Sequence, residues 1–204
     1  MKQIVHKTLL LVATLLTLPA AAHAHLTGTG LGPFYDGVTH FFLSPEQIIP
    51  VWALALFAGL RGKRAGRSTL FLLPAAWLVG GFAGLARPLA GQFPLLTCFS
   101  FLVLGALVAS DANLRPRFVA ALALLFGVAL GYVNGSDLST TNAGTIALLG
   151  TATAIFIVTA LVAAFVASLF VPWTRIVIRV AGSWIVAAGL LLLGWTFHSH
   201  PLKF

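Results

Sequence analysis

Residues 143–170 read AGTIALLGTATAIFIVTALVAAFVASLF, a run without one charged side chain. A membrane-spanning helix needs about 20 predominantly apolar residues, so this run is long enough to cross a bilayer with some tilt. Five more apolar segments surround it, at residues 36–60, 69–89, 93–111, 117–133 and 174–197. The connections between them are short and leave no room for a soluble domain. We therefore predict an all-α membrane protein with about six transmembrane helices.

The overall composition agrees with a chain dissolved in lipid. Apolar residues make up 59% of the chain and charged residues 8%, whereas soluble domains carry about 25% charged residues. A small globule cannot bury that much apolar surface, so the lipid bilayer must be the principal partner. The net charge of +8 lies in short clusters between apolar runs. This distribution argues against a nucleic-acid partner.

The first residues have the three parts of a cleavable signal peptide. Lys2 and Lys7 precede a short apolar run at residues 8–18, and small residues follow up to Ala24. We predict a signal peptide over residues 1–24 and a membrane domain over 25–204, with an uncleaved first helix as the alternative. Cleavage leaves His25, or His23 with the earlier cut, at the mature N-terminus. Its amine and imidazole form a chelate that suits Ni(II) or Cu(II), unless the histidine is coincidental.

Lysine and arginine predict the orientation. With the mature N-terminus outside, the loops after the first, third and fifth helices carry eight basic residues and the outside segments carry two. Positive charge favours the cytoplasmic side. We predict a multi-pass protein of a bacterial inner membrane, with both mature termini on the periplasmic side. The inside residues are Arg61, Lys63, Arg64, Arg67, Arg115, Arg117, Arg175 and Arg179; the outside ones are Arg87 and Lys203.

The start of the first mature helix carries most of the polar residues that could act in the membrane. On a regular helix, Asp36, His40 and Gln47 share a face, and the Asp36 carboxylate could orient the His40 imidazole. Pro45 and Pro50 are expected to kink or interrupt the helix and so open an ion site beside Glu46. The alternatives are that these are hydrated interfacial residues and that Asp36 only complements the helix dipole.

The external end of the fourth helix offers two oxygen ligands, Asn134 and Asp137. An ordinary Asn-Gly turn is the alternative interpretation of this stretch. The tail residues His198 and His200 are predicted to be solvated or to bind metal weakly.

Glycines at helical spacing predict close helix contacts. Gly127, Gly131 and Gly135 form a double Gly-xxx-Gly pattern in the fourth helix, and Gly80, Gly81 and Gly84 lie in the second. Small residues allow membrane helices to approach closely.

Across nearly its whole length the chain resembles the HupE/UreJ family of nickel and cobalt permeases. The family has His, five residues, then Asp-His in its first helix; here His40 matches, and Glu46 and Gln47 replace the pair. The family's His-Gly-Tyr-x-His-Gly pattern is matched by Gly131, Tyr132 and Gly135, while Leu130 and Asn134 replace the histidines. The resemblance implies a permease for nickel or cobalt, with metal ligands among His25, Asp36, His40, Glu46, Gln47, Asn134 and Asp137.

Two functions therefore remain open. The first is a divalent transition-metal permease that captures its ion at the external face; the second is a non-transporting accessory or metal-binding scaffold of the same family. We expect no enzyme activity and no permanently bound cofactor, the metal ion being the substrate. No nucleotide-binding motif such as Gly-x-x-x-x-Gly-Lys-Ser is present. A homo-oligomer or a metalloenzyme-maturation partner is compatible with both functions.

Overall fold

The computed structural model describes residues 29–89, 91, 93–141, 143–169 and 172–199. Within these ranges the chain is helical, with short connections and no strand. The predicted signal peptide and His25 lie outside the described residues. The helices are α1 (Pro33–Leu43), α2 (Pro45–Leu60), α3 (Lys63–Ala86), α4 (Pro94–Ala109), α5 (Pro116–Leu138), α6 (Gly144–Ala167) and α7 (Pro172–Ser199).

The helices confirm an all-α membrane architecture. Four of them, α3, α5, α6 and α7, are long and apolar enough to cross a membrane, and the bent pair of α1 and α2 makes up to five. The apolar helix α4 has 16 residues, which give about 24 Å of helix against a hydrocarbon core of about 30 Å. The count of six spans therefore stays a prediction.

The first predicted segment is a broken helix. Ser44 is extended, with φ −102° and ψ 93°, and α2 starts at Pro45 with an axis bent by 75° from that of α1. A residue before proline avoids the helical region, and proline suits the first position of a helix because its missing N–H is not needed there. The predicted interruption at Pro45 is confirmed. Pro50 instead remains inside α2 without ending it.

Three helix pairs and one central helix build the bundle. The principal pairs are α3 with α5, α4 with α7, and α1 with α6, while α2 contacts α3, α4 and α6. The buried core runs through Phe57 and Leu54 of α2 and through Trp77 of α3. The break in the first segment is thereby held mainly against α6 and α3.

Glycines bring α3 and α5 into backbone contact, as predicted. A Cβ on Gly80 would lie 2.1 Å from the Val128 carbonyl oxygen, and one on Gly135 would lie 2.0 Å from the Gly81 carbonyl oxygen. Because no side chain can yield there, the two helices would have to separate to admit a methyl group.

We expect Gly80→Ala to lower the free energy of unfolding by about 1–3 kcal/mol, the usual range for overpacking. Gly194→Ala is the matched control, because its added Cβ would meet no atom of the described residues within 4 Å and alanine is the better helix former. Thermal unfolding of both variants in detergent measures the difference. Equal melting temperatures would contradict the close contact of α3 and α5.

Candidate functional site

The break between α1 and α2 places two flanking side chains in contact. His40 lies in the last turn of α1 and Gln47 in the first turn of α2. Their Nε2 atoms are 3.3 Å apart. In an unbroken helix, residues seven positions apart are separated by about 10 Å along the axis. The bend at Ser44 therefore brings the His40 and Gln47 side chains into contact.

The pair continues into the bundle as a chain of hydrogen bonds, which we call the amide network (His40, Gln47, Asn134 and Trp77). Asn134 Nδ2 of α5 donates to Gln47 Oε1 at 3.2 Å, and Trp77 Nε1 of α3 donates to Asn134 Oδ1 at 3.1 Å. Asn134 and Trp77 are fully buried and Gln47 is 3% exposed. The network thus joins four helices, and three of its four side chains are buried while His40 is half-buried.

The direction of every bond in the amide network follows from Trp77. An indole N–H only donates, so the Asn134 oxygen faces it and the Asn134 amide nitrogen must point towards Gln47. Gln47 then accepts with its oxygen and presents its own NH₂ group to His40. His40 Nε2 is consequently the acceptor, which assigns the proton of the neutral imidazole to Nδ1.

Two carboxylates stand at the outer side of the amide network. Glu46 and Asp137 are both exposed. Glu46 directly precedes Gln47 in α2, and Asp137 follows Asn134 by three residues, about one turn, in α5, so both carboxylates belong to the turns that the Gln47–Asn134 contact joins. Pro50 has no N–H to donate to the Glu46 carbonyl, the acceptor four residues earlier in the helix. The region around the break therefore combines one imidazole, two carboxylates and an additional carbonyl oxygen.

Asp36 does not contact His40, and the prediction that it orients the imidazole is wrong. Its Oδ1 accepts from the Thr29 N–H and from Thr29 Oγ1 at 2.7 Å. Asp36 sits in the first turn of α1, where a negative charge complements the helix dipole. It ties the preceding segment to the helix start, and Gln47 orients His40 instead.

The predicted metal ligands do not form a ready coordination shell among the described residues. No group of three or more His, Cys, Asp or Glu side chains there is placed to hold one ion. His40, Gln47 and Asn134 are brought together, Glu46 and Asp137 lie in the adjoining turns of α2 and α5, and Asp36 is separate. The ligand assignments stay predictions.

Trp77 is the residue that sequence reasoning missed. Tryptophans near helix ends are expected at membrane interfaces, but Trp77 lies in the interior of α3 and is fully buried. A buried indole usually finds an acceptor for its N–H. A tryptophan in the interior of an apolar helix is therefore the sequence feature that indicates a polar partner in the bundle.

Comparison with known proteins decides the family. A family model described as HupE / UreJ protein matches residues 11–192. The chain belongs to the HupE/UreJ family. It is also 27% identical over 185 residues to Protein HupE of Rhizobium leguminosarum bv. viciae, covering 87% of this chain and 93% of that relative. No solved structure matches it significantly.

The HupE/UreJ motifs show why the contact between Gln47 and Asn134 is of functional interest. These are the positions where the family resemblance predicts the last histidine of the first-helix motif and the second histidine of the α5 motif. The two motifs meet in the fold, because their side chains are 3.2 Å apart. In this chain an amide pair with satisfied hydrogen bonds stands where two imidazoles would meet.

Proposed function

We propose that this protein is a permease for a divalent transition-metal ion, nickel or cobalt, which it captures near the break between α1 and α2. The observation that carries the proposal is the meeting of the two motifs in the amide network. An ionisable side chain within membrane helices is costly and is a functional-site hypothesis by default, and His40 is the ionisable member of this network. Family membership and the broken first segment, a feature that transporters use for ion sites, support the same function.

His40 is the proposed first ligand, because it is the motif histidine that this chain retains. Imidazole suits nickel and cobalt far better than an amide does. Glu46 and Asp137 would attract the cation and supply oxygen ligands, and His25 of the mature N-terminus would deliver it. Gln47 and Asn134 would then line the way between α2 and α5 as oxygen ligands of lower affinity.

The protein would lie in a bacterial inner membrane, with this end of the bundle towards the periplasm. The charge bias supports that orientation, because the basic residues gather at the opposite ends of the same helices. The ion is the substrate, and we expect no resident cofactor and no enzyme activity. A homo-oligomer or a metalloenzyme-maturation partner would fit this function.

A non-transporting accessory or scaffold protein is the second candidate. The observation in its favour is that the amide network is closed on itself, with no three ionisable ligands gathered within the described part of the chain. Such a protein would bind metal externally without carrying it across.

Uptake into proteoliposomes separates the two functions. We expect the full-length protein to carry Ni(II) or Co(II) inward, and His40→Ala to reduce the initial rate at least about tenfold, since loss of even a hydrogen-bonding partner of a metal ligand typically costs about 10–100-fold. His198→Ala is the matched control, because His198 is exposed at the end of α7. External binding without any uptake would reject the permease and leave the scaffold.

A further inference from the structure

A basic pocket lies at the end of the bundle opposite the amide network. Gln47 lies in the first turn of α2 and Arg61 follows the last residue of that helix, which separates the two by about 21 Å of helix. The cavity there measures about 520 Å³. Its polar walls come from Arg61, Asn113, Arg115 and Arg175, with Leu60 and Leu114 between them. We call it the arginine pocket.

One carboxylate only partly neutralises the three guanidinium groups at the arginine pocket. Asp111 accepts from Arg61 Nη2 and, at 2.9 Å, from Arg175 Nη2. Arg115 forms no ion pair with the described residues. The pocket and its carboxylate therefore carry a net charge of about +2 at neutral pH, counted from the ordinary charge states of three arginines and one aspartate.

Arg61 is built into the wall rather than free in solvent. Its side chain is 7% exposed, and its Nη1 donates to Asn113 Oδ1 at 3.2 Å. Its Nε is buried and has no hydrogen-bond partner within the described residues. A buried donor without an acceptor is costly. This guanidinium is thus fixed in position with hydrogen-bonding capacity left over.

Two helix starts add to the positive potential. Arg115 is the residue before α5, and Arg175 lies in the first turn of α7. The N-terminus of a helix carries about half a positive charge and N–H groups without intrahelical acceptors. Anions bind at helix N-termini of this kind.

We propose that the arginine pocket binds a phosphate-bearing anion. Planar guanidinium groups match phosphate oxygens in pairs, and basic pockets between membrane helices on the cytoplasmic side hold acidic lipid head groups. The charge bias of the chain predicts that this end faces the cytoplasm. Exposed Trp173 and Ile176 at the start of α7 offer apolar surface to acyl chains. An acidic phospholipid is therefore the favoured source, and free phosphate is the other.

Arg115→Gln tests the pocket without breaking an ion pair of the described residues. Arg117→Gln is the matched control, because Arg117 lies two residues away, is exposed, and does not line the cavity. The full-length protein in non-ionic detergent is titrated with phosphatidylglycerol, with phosphatidylcholine, and with sodium phosphate against sodium chloride of equal ionic strength. Thermal unfolding and native mass spectrometry of bound lipid are the readouts.

We expect phosphatidylglycerol to raise the melting temperature and phosphatidylcholine to leave it unchanged. Arg115→Gln should bind about tenfold more weakly, the effect of one charge-assisted hydrogen bond, while Arg117→Gln should behave as wild type. A response to sodium phosphate with the same dependence on Arg115 would support the site and identify free phosphate as the source. No response to either anion, or equal loss in both variants, would overturn the proposal.

Discussion

Asp111→Asn is expected to lower the free energy of unfolding by about 3 kcal/mol, the low end for removing one partner of a buried ion pair. The low end applies because the Asp111 side chain is 20% exposed. The loss arises at Arg61, whose buried guanidinium would face Arg175 without an anion between them. Asparagine keeps the shape and one acceptor oxygen, so the substitution removes the charge and the second acceptor. Chemical denaturation in mild detergent measures the change.

The backbone at Asp111 supplies the control. Asp111 has φ +51° and follows the end of α4, where its N–H donates to Val108 and the Ala112 N–H donates to Leu107. Glycine is the usual residue at this position of a helix end, and Asp111→Gly relieves the left-handed conformation. We expect it to remain less stable than wild type. An Asp111→Gly protein more stable than wild type would show that backbone strain outweighs the ion pairs.

Asn134→Leu is expected to cost about 2–6 kcal/mol, from about 1–3 kcal/mol for each buried polar group left unpaired. Two groups lose their partners: the Trp77 Nε1–H and the Gln47 Oε1. Neither reaches water, because both side chains are almost fully buried. Thermal unfolding shows whether the variant is less stable than wild type, and chemical denaturation gives the change in the free energy of unfolding.

Matched variants distinguish the stability lost with the hydrogen bonds of the amide network from the stability lost through ordinary packing changes. Thr153→Leu also removes a polar side chain from a helix, but Thr153 is exposed and, among the described residues, its hydroxyl bonds only to the Leu149 carbonyl of its own helix, so we expect little change. Trp77→Phe with Asn134→Leu should cost less than the sum of the single changes, because each removes the other's orphaned partner. Additive costs would mean that the Trp77–Asn134 bond contributes nothing.

The helical fold could be predicted from the sequence because hydropathy and glycine spacing act locally. Residues 143–170 indicate a membrane helix by themselves, and the glycines of α3 and α5 indicate close contact whatever their neighbours are. Pro45 likewise acts on its own backbone and on Ser44. Whether a short helix such as α4 spans the membrane depends on the bilayer and its neighbours, so its sequence leaves that open.

The candidate site could be predicted only in part, because its contacts join distant segments. His40 and Gln47 were chosen on the assumption of a continuous helix, yet the break that the prolines predict is what brings them together. A spacing of four residues pairs Asp36 with His40 on a helix, but the Asp36 carboxylate instead accepts hydrogen bonds from Thr29. Trp77 and Asn134 are 57 positions apart, and no local pattern pairs them.

Metal titration tests the central claim that the break between α1 and α2 is where the ion is captured. Full-length protein without a polyhistidine tag is titrated by calorimetry with Ni(II) and Co(II), beside His40→Ala and the control His198→Ala. The predicted result is saturable binding that His40→Ala weakens at least about tenfold and His198→Ala leaves unchanged. Equal binding by wild type and His40→Ala would contradict the claim and place the metal elsewhere on the protein.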